Sequence, residues 1–131
     1  MGQLTPVLLV AIGGALGAVS RYAVNGWAQR QFPAFAPAAT LIVNVAGCFA
    51  IGIVMALLKE RQSHVREIQA LVVTGFLGGL TTFSAFGYQT VELLLEQQVQ
   101  RALLNVAANV LLGCGAVWLG LVLTRQIAGH P

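Results

Sequence analysis

The twelve residues GFLGGLTTFSAF (75–86) put paired glycines, paired threonines and two phenylalanines inside an otherwise apolar run. A lipid-facing helix is built from residues such as leucine and valine. Glycine, hydroxyls and rings at that depth point instead to a break and to ion chemistry. The run 68–95 is about 28 residues long, too long for one straight span. A break at Gly78-Gly79-Leu80-Thr81-Thr82 divides it into two shorter helices. It frees carbonyls and N–H groups that protein, water or an ion must satisfy. Carbonyls ending the first half favour a cation, and N–H groups opening the second favour an anion. Thr82 or Ser84 can cap the second half. Phe83 and Phe86 share a face of its first turn. Aromatic edges are weakly positive, so edges turned inward would attract an anion without holding it, as conduction requires. The same rings can also simply pack in a core.

Other polar residues stand in apolar surroundings. Thr40 and Asn44 are four apart, on one helix face. An asparagine amide can donate to an anion or bond a neighbouring helix, and both readings are open. Asn105, Asn109 and Gly113 repeat every four residues, which reads as a polar seam or as helix-to-helix glue. Arg21 follows GGALGAVS and reads as a cation at the mouth of an anion path or as a snorkelling side chain.

These residues need helices to position them. The chain is 57% hydrophobic and 8% charged, against about 25% charged for soluble domains. Four segments suit spans, at 6–27, 38–58, 68–95 and 102–124, and together make one all-α transmembrane domain over 1–131. The linkers RQFPAFAP, KERQSHVRE and EQQVQR are short. No Lys or Arg precedes the first apolar stretch, so the segment is expected to be retained rather than cleaved as a signal. Cys48 and Cys114 lie in apolar segments and are expected to be small packing residues.

Four spans place both termini on one side. That side carries Lys59, Arg61, Arg66 and Arg125; the other carries Arg21, Arg30 and Arg101. Four against three is almost no bias for the positive-inside rule to act on. The expectation is insertion in both orientations and pairing with an inverted copy. Gly13 with Gly17, and Gly75 with Gly79, allow close helix packing.

Taken together, GGALGAVSRY (13–22), TLIVNVAGCFAIG (40–52), GFLGGLTTFSAF (75–86) and, more loosely, NVAANVLLG (105–113) resemble the Fluc family of fluoride channels, also called CrcB. The resemblance covers all four segments. It implies a passive fluoride channel of the bacterial inner membrane, built as an antiparallel, dual-topology homodimer with two pores. It implies a structural sodium ion (Na+) held by the backbone carbonyls of Gly78 and Thr81. It maps the fluoride pathway to Asn44, Phe83 and Phe86, with Thr82 and Ser84 beside them and Arg21 at the vestibule. A polar track of Thr40, Gln89, Asn105 and Asn109 is expected alongside. Ala85 stands where many members have a second threonine, and Gln89 where many have glutamate.

Rival functions fit less well. A small dual-topology multidrug-resistance-type transporter needs an intramembrane acid, and the first two spans have none. A Ser-His-Asp hydrolase is excluded because the chain has no Asp. His64 and His130 lie outside any metal-ligand cluster. No basic run or RNA-binding motif suggests nucleic acid. A purely structural subunit would carry no ion flux.

Overall fold

The computed structural model describes residues 4–35, 37–59 and 63–128. Glu60, Arg61 and His130, used in the sequence reading, lie outside them. The described chain is all-helical: α1 (Leu4–Gln31), α2 (Ala38–Lys59), α3 (65–80), α4 (Phe83–Leu95) and α5 (Val99–Ile127). Four segments are long and apolar enough to cross a membrane: α1, α2, the α3–α4 unit Val65–Leu95, and α5. α1, the α3–α4 unit and α5 extend a few residues beyond the apolar windows, and α2 by Lys59 alone, because the helices continue into their polar flanks.

The turns follow from local chemistry. Pro6 sits in the first turn of α1, where its missing N–H costs nothing. Pro37 precedes α2, and its carbonyl accepts the Leu41 N–H at 3.0 Å. His64 and Gln97, with φ of 59° and 60°, turn the chain into α3 and between α4 and α5.

Two parallel helix pairs build the molecule. Along α1, Gly13 faces Leu71 and Phe76, and Gly17 faces Phe76 and Leu80 one turn on, so α1 and α3 run the same way. Along α2, Asn44 meets Asn109 and Gly52 meets Gly120, so α2 and α5 are parallel too. Both seams are backbone against backbone. A Cβ on Gly75 would stand 3.0 Å from the Gly13 Cα, and one on Gly52 would stand 3.2 Å from the Gly120 Cα. Small residues earn this proximity in membranes, where dispersion and packing replace the hydrophobic effect between helices. The buried set is accordingly rich in alanine (Ala28, Ala39, Ala56, Ala70, Ala102), while Leu111 is 70% and Trp118 65% exposed. Large apolar groups outside and small ones inside is the arrangement a lipid solvent demands.

One feature of α3 departs from expectation. Between α-helical turns at Val65–Ile68 and Gly78–Leu80, the stretch Gln69–Leu77 is wound as a π-helix. The Gly78 N–H reaches back to the Val73 carbonyl, five residues away. The wider winding keeps Ala70, Gly75 and Leu77 buried while Gly75 stays against Gly13. Hydropathy does not distinguish this winding from an ordinary α-helix.

Gly52→Val is expected to lower stability by about 1–3 kcal/mol through overpacking against α5, read as a drop in the thermal unfolding midpoint of the purified protein. Gly115→Ala, at a mid-helix glycine with open space around its Cβ direction, is the control expected to hold the midpoint or raise it slightly, since alanine favours a helix over glycine by about 0.5–1 kcal/mol.

Candidate functional site

The break in the third span is two residues long rather than five. Gly78, Gly79 and Leu80 remain helical, and only Thr81 (φ −81°, ψ 157°) and Thr82 (φ −152°, ψ 114°) are extended. Hydrogen bonding explains where the helix stops. The Thr81 N–H still donates to the Leu77 carbonyl at 3.0 Å, and the Thr81 hydroxyl donates to the same oxygen at 2.9 Å. One residue later the Thr82 N–H leaves the helix and donates to Asn44 Oδ1 at 2.9 Å. Asn44 Nδ2 donates back to the Thr82 carbonyl at 3.3 Å. The side-chain amide of α2 thus pairs both backbone groups of Thr82, as a neighbouring strand would. The Gly78 carbonyl loses the donor that a continuing helix would have supplied.

Thr82, rather than Ser84, is the cap. Its Oγ1 accepts the Ala85 N–H at 3.3 Å and lies 3.2 Å from Ser84 Oγ. This satisfies one of the orphan N–H groups at the start of α4.

The asparagines form a connected chain. Asn44 Nδ2 donates to Asn109 Oδ1 at 3.0 Å. Asn109 Nδ2 donates to the side-chain and backbone oxygens of Asn105 at 3.1 and 3.0 Å. Asn105 Nδ2 donates to Thr90 Oγ1 at 2.9 Å, and the Thr90 hydroxyl donates to the Phe86 carbonyl at 2.8 Å. The chain therefore leaves α4 at Thr82, crosses α2 and α5, and returns to α4 at Phe86. Thr90 is a site residue that the sequence reading missed. Its signal was a hydroxyl four residues beyond Phe86 in an apolar helix.

A groove of about 400 Å³ opens beside the break. Asn44, Thr81, Thr82, Phe83, Phe86 and Asn109 line it together with Gly78. The two rings lie 5.4 Å apart, tilted by 53°. Phe83 is 83% exposed, so it is not packed into a core within this chain.

Other expected residues fall elsewhere. Arg21 is half-buried on α1, one turn beyond Gly17, and lines no part of the groove. Thr40 is buried and also outside the groove. Asn105 is 1% exposed and reaches the groove only through Asn109. Gln89 lines a separate cavity of about 210 Å³ with Phe35, Glu92, Glu96 and Arg101, and its Oε1 is buried without a partner. Glu92 is exposed and accepts the Tyr88 hydroxyl at 3.0 Å.

Among the described residues, no group of three or more His, Cys, Asp or Glu side chains could hold a metal. Oxygen is nonetheless available at the break. The Thr81 carbonyl lies in extended backbone and the Gly78 carbonyl has lost its helical donor to Asn44. Neutral carbonyls at the end of a half-helix suit a small hard monovalent cation.

The architecture is that of an integral membrane protein with a broken span and a mostly apolar groove at the break, into which a few polar groups converge. The model of the family described as CrcB-like protein, Camphor Resistance (CrcB), matches residues 8–121. A Rhizobium etli protein named fluoride-specific ion channel FluC is 45% identical over 121 residues, covering 92% of this chain and 96% of the relative. A Solibacter usitatus protein of the same name is 46% identical over 120 residues, covering 91% and 98%. The Methanosarcina acetivorans protein named fluoride-specific ion channel FluC 1 is 38% identical over 124 residues, covering 95% and 94%. The chain belongs to the CrcB family, and it is a multi-pass membrane protein.

Thr82→Ala removes the cap of α4 and is expected to cost about 1 kcal/mol, whereas Thr82→Ser is expected to be nearly neutral. Asn44→Leu leaves the N–H and carbonyl of Thr82 unpaired, at about 1–3 kcal/mol for each group. In thermal unfolding of the purified variants, Asn44→Leu should therefore fall well below Thr82→Ala. The reverse order would mean that Asn44 does not hold the break.

Proposed function

We propose that this protein is a fluoride-selective channel that lets the anion leave the cell passively. The observation that carries the reading is the groove. It places an asparagine amide, a capped half-helix N-terminus and two tilted phenylalanines together at membrane depth, in a chain whose relatives are named fluoride-specific channels. Hydrogen fluoride is neutral, crosses membranes and ionises inside the cell, where the anion is trapped. A selective passive path returns it down its electrochemical gradient. The N–H groups opening α4 and the positive ring edges of Phe83 and Phe86 favour an anion there. Selectivity over chloride comes from a narrow path in which amide and hydroxyl donors replace water. The chemistry involves no covalent step.

The working unit is an antiparallel homodimer. Polar backbone at membrane depth must be buried in protein or face water, and Gly78 and the groove lie on the open side of a single chain. A second, inverted copy covers that side and leaves two fluoride paths along the interface, with Arg21 at the vestibule. The near-balance of flanking Lys and Arg permits both insertions. The carbonyls of Gly78 and Thr81, contributed by both copies, would hold a structural sodium ion. When bound, it supplies positive charge that ties the two breaks together. Thr82 and Ser84 offer hydroxyls beside the rings. Thr40 on α2 and Gln89 on α4 would continue the polar track beyond the groove, and the channel would sit in the inner membrane of the cell.

Liposomes holding the purified protein are expected to lose fluoride rapidly and chloride slowly, as read by ion-selective electrodes. Asn44→Asp and Phe83→Ile should each slow fluoride loss by at least about tenfold, the scale of a 1.4 kcal/mol barrier. Absence of efflux from folded dimers would sink the channel reading.

The sodium site has its own readout. The thermal midpoint of the detergent-solubilised dimer should rise with sodium, by the mass action of a ligand that binds only the folded state, and not with N-methylglucamine at equal ionic strength. A midpoint indifferent to the cation would remove sodium from the proposal while leaving the fluoride path intact.

A further inference from the structure

We infer that Asn109 is a positioning residue for the fluoride path: it locks the Asn44 amide in the orientation that the Thr82 backbone sets. The inference rests on the fluoride-channel reading and adds a residue that acts through another.

The geometry begins with an unambiguous donor. A backbone N–H cannot accept, so the Thr82 N–H, 2.9 Å from the Asn44 side chain, must meet its oxygen. The orientation of Asn44 is thereby set, and its NH2 is turned toward Asn109. A donor there requires an acceptor, so Asn109 must present Oδ1, at 3.0 Å. The same orientation follows independently from the far end. Asn109 Nδ2 lies 3.0 Å from the Asn105 backbone carbonyl, which can only accept. Asn105 then presents Oδ1 to Asn109 and Nδ2 to Thr90, whose hydroxyl donates to the Phe86 carbonyl. Every bond in the series donates in one direction, from the Thr82 N–H to the Phe86 carbonyl. Hydrogen bonds aligned in this way polarise one another.

The consequence concerns the anion. Asn44, Asn109 and Thr82 all line the groove. With Asn109 Oδ1 in place, the Asn44 oxygen stays on Thr82 and its two hydrogens stay on Asn109 and the Thr82 carbonyl. A rotated amide would put a partial negative charge where the NH2 now stands and would repel fluoride. Asn109 gives its own NH2 to Asn105, so it meets Asn44 as an acceptor and holds it in place.

The test pairs a flux measurement with a direct view of the Asn44 amide. The chain has only four asparagines, Asn25, Asn44, Asn105 and Asn109. Protein labelled with 15N at asparagine therefore gives few side-chain amide signals, and Asn44→Ala assigns the one of interest. Asn109→Ala is expected to shift the Asn44 amide signal, to speed its hydrogen exchange at least about tenfold, and to lower fluoride efflux from liposomes at least about tenfold. If alanine does not yield folded dimers, Asn109→Ser is read in the same way. Slower efflux with an unmoved Asn44 signal would overturn the inference, because Asn109 would then act on the ion directly. A moved signal with unchanged efflux would overturn it too, because the orientation would not matter to conduction. Failure of the unsubstituted protein to pass fluoride would instead sink the channel reading, and the amide spectrum would still report whether Asn109 orients Asn44.

Discussion

The pairing of Asn44 with the backbone of Thr82 is the constraint on which the rest of the structure turns. A helix cannot stop inside a bilayer without a new partner for each backbone group it releases. The chain meets that demand at Thr82 with one side-chain amide, which accepts from the Thr82 N–H and donates to the Thr82 carbonyl. The break is confined to Thr81 and Thr82 because this substitute partner is available just there. The glycines before it remain helical, so flexibility is not what ends α3. A competing acceptor is.

Close approach makes the pairing possible. Asn44 and Gly47 are three residues apart on α2, and a Cβ on Gly47 would collide with the Thr81 side chain. The bare glycine lets α2 nest against the extended segment while Asn44 reaches it. On the far side Gly17 and Gly79 bring α1 against α3, and Gly52 and Gly120 bring α2 against α5. The break is held between two backbone-to-backbone seams. Its neighbours are rigid for the same reason that they are small.

Hydropathy made the four spans legible, since large apolar residues such as Leu111 and Trp118 face outward from the chain. The break was legible in kind from the run of glycine and threonine within an overlong segment, but its length was not. The glycine and threonine run suggested a five-residue gap, and the diverted Thr82 N–H reduced it to two. Each asparagine stripe could be read as an ion seam or as glue. The choice depends on which stripes face each other, and one helix's periodicity carries no such information about another. Asn44 meeting Asn109, and Thr90 closing the chain, are facts of tertiary packing. The π-helical winding of Gln69–Leu77 was also hidden, because an apolar sequence looks the same at either pitch. Arg21 shows the opposite limit. Its residue type allowed a cation at the mouth of an anion path or a snorkelling side chain, and in a single chain it stands apart from the groove, which leaves both readings open.

A two-residue break has opposite electrical character at its two ends. The last carbonyls of α3 are negative and the first N–H groups of α4 are positive. Asn44 reinforces the separation. By taking the Thr82 N–H it removes a donor from the Gly78 carbonyl, leaving that oxygen more available to a cation. By donating to Asn109 it sends hydrogen-bond polarity away from the break and back to the Phe86 carbonyl. The neutral amide thus leaves the α3 side of the break open to positive charge, while the N–H groups that open α4 favour negative charge on the other. Among the described residues, no ionised side chain lines the groove. At membrane depth that matters, because a buried ionised group would hold a counter-ion too tightly for it to leave. Neutral dipoles, fixed in direction by their neighbours, can attract an anion and release it.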